Sequence, residues 1–409
     1  MSNKKNKTKK KNSSFELLGI VDKIGVNALQ LNTKSESGYN YSRINVGVNC
    51  GEKHGTVYLD GMDGYSVNKE TGDPIRTIYC HGKTNDGKDD FTERLEIDWA
   101  DRKDEDILKD VGNMNFITVA LEKETSDELI YNKFLCLYDA ITYVKENLKE
   151  KMIIKVRGKI TYNPYDKQAN EKFEPTSIIL QEKNKNNEPI TKNDFYARFT
   201  QTVLLNKNSK GDYDDEKGAF NINGYVVEYI GKYKNVEYKN YFVMPKEFEY
   251  KISKDNDFRY LKLANKLFEV DEDITATTFE GEIITEGETI QATYEDLPDD
   301  IKEYVDDGIL DLEEVLDSYA TNGSTKRRMV IVKPTTRMIK NDDGTTRMVI
   351  LSDKKAYKEE DLVDFFSIIQ NENETEEQEK SIEKTVEKAT NPEEDAEYLD
   401  MLKELGLDA

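Results

Sequence analysis

Three residue types that often carry chemistry are scarce here: the sequence holds 3 cysteines, 2 histidines and 1 tryptophan in 409 residues. Cys50, Cys80 and Cys136 leave one thiol over after any pairing, which argues against a disulfide framework and for a reducing compartment. A cytoplasmic location is expected. With so few histidines, acid–base catalysis would fall to carboxylates, and among 82 Asp and Glu no pair stands out. No P-loop, glycine-rich dinucleotide loop, nucleophile elbow or spaced cluster of DNA-cleaving carboxylates is present, so neither enzymatic activity nor a cofactor is expected. Nor does any apolar run approach the ~18 residues of a spanning helix. The lysine-rich start MSNKKNKTKKKN lacks the apolar core and cleavage site of a secretory signal. A soluble protein with no membrane partner follows as an expectation.

Charge is abundant. Charged residues make up 34% and apolar residues 36% of the chain, with a mean hydropathy of -0.79, which allows a core under an extensive wet surface. The net charge of -23 opposes a nucleic-acid partner, because affinity there comes from Lys and Arg displacing counterions. The distribution softens the objection. Asn371–Ala409 carries 14 acidic residues against 4 lysines, so much of the excess lies in a terminal segment, although the remaining body is acidic too.

Length predicts two or three domains. FELLGIVDKI, YSRINVGVN, GTVYLDGM, IRTIYCHG, RLEIDW and NFITVALE read as short strands separated by Gly and Asp-Gly turns, the pattern of a meander or barrel. Phe134, Leu137, Tyr138, Ile141, Val144 and Leu148 then recur on one helical face, predicting an amphipathic helix over 133–150. A strand over 152–163 with Gly158 at its middle follows. The order repeats after residue 195: strands in ARFTQTVLL, FNINGYVVEYIGKY and VEYKNYFVMP, a helix around FRYLKLANKLFEV, then ITATTFEGEIITEG. Setting Gly158 on Gly281 places Leu135 over Phe258, Ile141 over Ala264 and Val144 over Leu267, which reads as a duplication.

The expected organisation is therefore a basic disordered N-terminus (1–13), a first barrel domain (14–183), a linker (184–194), a second barrel domain (195–370) and an acidic disordered tail (371–409). The second domain includes a helical insert over 295–320 and a β-hairpin over 327–353 turning at Asp343-Gly344. The tail ends in Tyr398, Leu399, Leu402, Leu405 and Leu407 among acids, the pattern of a peptide that folds onto a partner. A merely solubilising tail has the same composition.

The helix set before the strand KVRGKI, that strand's central glycine and the Glu-rich tail ending in apolar residues together resemble phage-type single-stranded-DNA-binding proteins built on OB-folds. The resemblance implies a mainly β protein of two OB-like barrels, each with an amphipathic helix between its third and fourth strands. It also implies that the chain coats and protects single strands during DNA replication or recombination, with the tail recruiting other proteins of those processes.

Binding single strands without reading sequence calls for aromatic faces for the bases and cations along the backbone. Candidates in the first domain are Lys34, Tyr39, Tyr41, Arg43, Tyr58, Arg76, Tyr79, Arg94 and Trp99, with Tyr39, Tyr41 and Arg43 alternating against Ile44, Val46 and Val48. In the second domain they are Tyr229, Tyr233, Lys234 and, in the hairpin, Arg337. Tyrosines covering a barrel end, lysines guarding a strand edge and hairpin cations neutralising the acidic insert are the competing structural readings. One metal set is conceivable, Cys50 and His54 with Cys80 and His81, but adjacent Cys80 and His81 would point to opposite sides of a strand, so no metal is expected. Two other classes stay open. One is a structural or adaptor protein whose tyrosine faces bind proteins, the other an acidic mimic of DNA.

Overall fold

The computed structural model describes residues 8–370 except 10, 126, 166, 216–217, 235, 253–256, 271–272, 287–288, most of 291–325 and 342–343. The tail, the turn residue Asp343 and almost all of the insert over 295–320 lie outside the described residues.

Ten strands matter most. They are β1 (Ser13–Val21), β2 (Asn40–Asn49), β3 (Thr56–Val67), β4 (Ile153–Tyr165), β5 (Gln168–Leu180), β6 (Tyr196–Leu205), β7 (Ala219–Tyr233), β8 (Val236–Lys251), β9 (Ile274–Glu286) and β10 (Lys326–Pro334). β1 pairs β2 and β4, β2 pairs β3, β3 meets β5 in parallel at Leu59 and Phe173, and β5 returns to β4, closing a circuit of five strands. β6 to β10 close a second circuit by the same rule, including the parallel contact of β8 with β10 at Tyr250 and Ile331. Each circuit is an OB-like barrel, its parallel step joining the third strand to the fifth.

A helix follows the third strand of each barrel: α1 (Leu137–Asn147) and α2 (Asp257–Phe268). α1 is shorter than its periodicity predicts, because Asn132–Phe134 is drawn into a small strand that pairs with Ile117–Ala120. Its buried face carries Leu137, Ala140, Ile141 and Val144, and α2 buries Ala264, Leu267 and Phe268 in the same core. The N-terminus of α1 has no cap from its own sequence. Asp63 of β3 supplies one, accepting the Leu137 and Tyr138 N–H groups at 3.0 and 3.4 Å.

The barrels join through their first strands. β1 and β6 pair antiparallel with Phe15 opposite Phe199, so one sheet passes through β4, β1, β6 and β9 and one core fills both barrels. Gly158 faces Phe15 from one side and Gly281 faces Phe199 from the other, each beside a register shift in its strand. A Cβ on Gly158 would fall 2.5 Å from Phe15 Cε1 and onto the Glu174 carbonyl, and one on Gly281 would strike the Phe199 ring and the Val330 carbonyl. The alignment of these glycines in the sequence thus marks equivalent places in two barrels related by a local two-fold axis between the phenylalanines.

The hairpin expected over 327–353 is smaller than that. Lys326–Pro334 belongs to the second barrel, and the hairpin is Thr336–Lys340 paired with Thr346–Ile350. Between β3 and α1 the first barrel carries an insertion whose strands Thr77–Lys83 and Asp89–Asp98 pair with each other over a small core of their own.

Gly158→Ala and Gly281→Ala should each cost about 1–3 kcal/mol through overpacking. Gly25→Ala, where a Cβ meets nothing, should stay within about 0.5 kcal/mol. Thermal melts of the three variants check both statements.

Candidate nucleic-acid interface

An OB barrel offers the outer face of its second and third strands, with the loop between its first and second, to extended ligands. In the first barrel those elements frame an open groove of about 560 Å³ lined by Lys23, Gly25–Ala28, Gln30, Arg43, Asn45, Gly47 and Tyr58. Alternation explains the floor. Ser42, Ile44, Val46 and Val48 are buried inward, while Tyr41, Arg43, Asn45 and Gly47 turn outward. Across the ladder, Gly47 is paired with Tyr58, Asn45 with Asp60 and Arg43 with Met62.

Tyr58 is 52% exposed, and its ring reaches over Gly47, with Cε1 3.3 Å from where a Cβ on that glycine would lie. A larger residue at 47 would force Thr56 Cγ2, 2.8 Å from that Cβ position, to move and would press on the ring. Arg43 Nη2 and Lys172 Nζ each lie 3.4 Å from one oxygen of the Asp60 carboxylate. Two cations held by one partly buried acid form a site where a phosphate can compete with the carboxylate. Val26, 97% exposed at the tip of the loop, adds an apolar rim.

The other expected residues divide. Tyr41 and Arg43 share the outward side of β2, and Lys34 is exposed at the end of the neighbouring strand Leu29–Lys34. Tyr39 lies half-buried away from the groove, its hydroxyl pushed to higher pKa by burial and by the charge of Asp63. Tyr79, 58% exposed, and Arg94 lie on the insertion, the guanidinium 4.3 Å from the ring centre, on a different surface.

Trp99 corrects the sequence reading. It is 4% exposed, held between Arg76 and Arg102 at 4.7 and 4.1 Å and against Tyr65 and Tyr138, because the insertion needs a large apolar side chain at its core. Arg76 is committed there too, donating at 2.5 Å to Asp63 and to the Gly64 carbonyl.

In the second barrel Tyr229 is half-exposed beside Tyr241. Tyr233 is partly buried, packing edge-on to Phe365 at 5.3 Å and anchoring the segment that ends at Gln370. Lys234 rests over Tyr233, and Arg337 stands exposed on the separate hairpin. Arg327, in the same basic stretch, reaches the first barrel, and Arg328 stays within the second. Arg328 meets Glu249 at 2.5 Å, and Arg327 lies over Phe173 and 3.8 Å from Glu171, its pKa lowered by burial against that partner's charge. The tail residues Tyr398, Leu399, Leu402, Leu405 and Leu407 lie outside the described residues.

The four metal candidates do not converge. His54 Nδ1 meets the Ile283 carbonyl at 2.8 Å, docking the β2–β3 turn on the second barrel, and His81 Nε2 meets Asp89 at 2.9 Å. Cys50 lies in the main core, its thiol pushed up to about 12 by burial, and Cys80 lies in the core of the insertion. Among the described residues no group of three or more His, Cys, Asp or Glu is arranged to hold a metal ion, and no helix is long and apolar enough to cross a membrane.

A second cavity, about 490 Å³, lies on the outer side of the junction between barrels. Its charges are largely satisfied within the protein. Burial works to raise the Glu16 pKa, but hydrogen bonds from Tyr196 and Arg157 outweigh it and hold the carboxyl below its ordinary value.

Lys23, Gln30 and Asn45, which line the groove, and Lys172, which reaches Asp60 beside it, are residues that the sequence did not single out. Gln30 and Asn45 follow from strand alternation, whereas Lys172 reaches the site only through the parallel contact of β5 with β3.

No protein-family model matches the chain. No curated protein matches it either. Among solved structures the chain is similar to a deletion mutant of the single-stranded DNA binding protein from Thermus aquaticus, at 8% identity and a TM-score of 0.27, over 67% of this chain and 87% of that one. The strand pairing by itself shows the two OB-like barrels.

Because Trp99 is the sole tryptophan and is buried away from the groove, its emission should be unmoved by a saturating oligonucleotide and poorly quenched by acrylamide. A fluorescence titration checks this; quenching by the oligonucleotide would restore Trp99 to the interface.

Proposed function

We propose that the chain binds single-stranded nucleic acid along the outer face of the first barrel's second and third strands, with little preference for sequence. The observation that carries this reading is the groove itself, where an exposed ring (Tyr58) stands beside two cations (Arg43 and Lys172) on the face an OB barrel gives to extended ligands. Bases stack on the ring and phosphates meet the cations, each stack contributing about 1–3 kcal/mol. The floor is polar and not shaped for one base, which suits coating rather than readout.

The biological role that fits is non-enzymatic protection of single strands in replication or recombination, in the cytoplasm, as in phage-type proteins of this fold. The acidic tail beyond Gln370 would compete with DNA for the groove and, once displaced, offer its apolar end to partner proteins. A protein-binding adaptor is the second reading, favoured by the exposed Phe91 and Met114, both next to the His81–Asp89 pair on the insertion.

Fluorescence anisotropy of a labelled oligo(dT) of about 30 nucleotides tests the proposal at low and moderate salt. The expected result is affinity that falls steeply as salt rises and strengthens both in a version ending at Gln370 and in Asp60→Asn, which releases Arg43 and Lys172. No binding at low salt by any of the three would overturn it and leave the adaptor or the DNA mimic.

A further inference from the structure

The two barrels share a topology but present different outer faces. In the first, the cross-strand rows Gly47–Tyr58, Asn45–Asp60 and Arg43–Met62 stand open above β2 and β3. In the second, the corresponding strands are β7 and β8, and their outward rows are Tyr229–Tyr241, Val227–Val243, Tyr225–Pro245, Asn223–Glu247 and Asn221–Glu249.

The chain itself packs over Tyr225 and Tyr241 of these rows and leaves Tyr229 half-exposed. Ser352–Tyr357 pairs with the start of β9, and Ala356, Tyr357 and Leu362 pack with Tyr225, Tyr241, Val227 and Val243 around Ile274. The Val243 N–H donates to the Val363 carbonyl at 3.0 Å. Phe365, fully buried, then lies 5.3, 5.1 and 5.2 Å from Tyr233, Tyr238 and Phe242. A side chain with no exposed surface in the main core is a fixed part of the fold and not a lid.

The rows beyond this cover carry the wrong chemistry for a polyanion. Asn221, Asn223, Glu247 and Glu249 include neither a ring nor a cation, and Glu249 is already taken by Arg328. In these two rows stacking and charge neutralisation are both missing, and the half-exposed ring of Tyr229 stands apart at the far end of the face.

We infer that the duplicated fold has a single working groove: the first barrel alone takes the nucleic acid, while the second barrel's outer face is partly packed under the chain's own segment Ser352–Leu362 and carries acids beyond it. The inference rests on the single-strand reading above and narrows it to one short site per chain. One strand crosses each chain once, over the ~4–16 nucleotides typical of one OB fold. The covered face also fixes Gln370, from which the acidic tail departs, to the barrel that does not bind.

Two measurements on the full-length protein test it. In the first, wild type, Tyr58→Ala and Tyr229→Ala are titrated with oligo(dT) of about 12 nucleotides. Both tyrosines are half-exposed, so both variants should keep the wild-type melt. Tyr58→Ala should weaken binding about 5- to 150-fold, and Tyr229→Ala less than about twofold. In the second, wild type is titrated to saturation with an oligo(dT) of about 8 nucleotides, and one oligonucleotide per chain is expected. Two per chain, an equal loss in both variants, or full affinity in Tyr58→Ala would overturn the single groove while leaving single-strand binding intact. No binding by wild type would overturn both.

Discussion

The pairing of β1 with β6 is the constraint on which the rest depends. Phe15 and Phe199 oppose each other across it, and both enter one core, so neither barrel can close its first strand without fixing the other. Gly158 and Gly281 make room for the two rings from either side. A two-fold relation between the barrels follows, together with a sheet that never breaks at the domain junction.

Buried charges add specificity to that junction. Glu171 of the first barrel is paired with Lys246 and faces Arg327, and Glu249 is paired with Arg328 of the same barrel as itself. Such pairs offset the desolvation of their own charges and add little net stability, but a shifted register would leave each charge buried without its partner. Tyr162 reinforces the arrangement, its hydroxyl donating to Gln201 at 2.9 Å within the core. Lys246 and Arg327 are in this way spent between barrels and Arg328 within the second, which concentrates the binding chemistry on the first barrel's open face.

Much of the fold was legible because it is local or repeated. Strand alternation in RINVGV separates core from surface correctly, since a strand has only two faces and one of them must be apolar. Gly158 and Gly281 align because both serve the same steric need opposite a phenylalanine. The site was half legible. Alternation brings Tyr41 and Arg43 to the outward side, but it does not say whether an outward side chain meets water or another element. Tyr233 packs on Phe365 and is partly buried, and Trp99, beside strand Asp89–Asp98, meets Arg76 and Arg102 together with Tyr65 of β3 and Tyr138 of α1.

By itself, then, the sequence determined the mainly β character, the duplicated order of strands and helix, the inward side of β2 and the acidity of the chain, because each depends on residues near one another or on composition. Tertiary structure decided which faces remain open. Lys172 joins Asp60 and Arg43 only because β5 runs parallel to β3, and Tyr225 and Tyr241 of the second barrel are packed over only because Ala356–Leu362 returns across them. Both are contacts between segments far apart in the chain, and no periodicity within either segment encodes its partner.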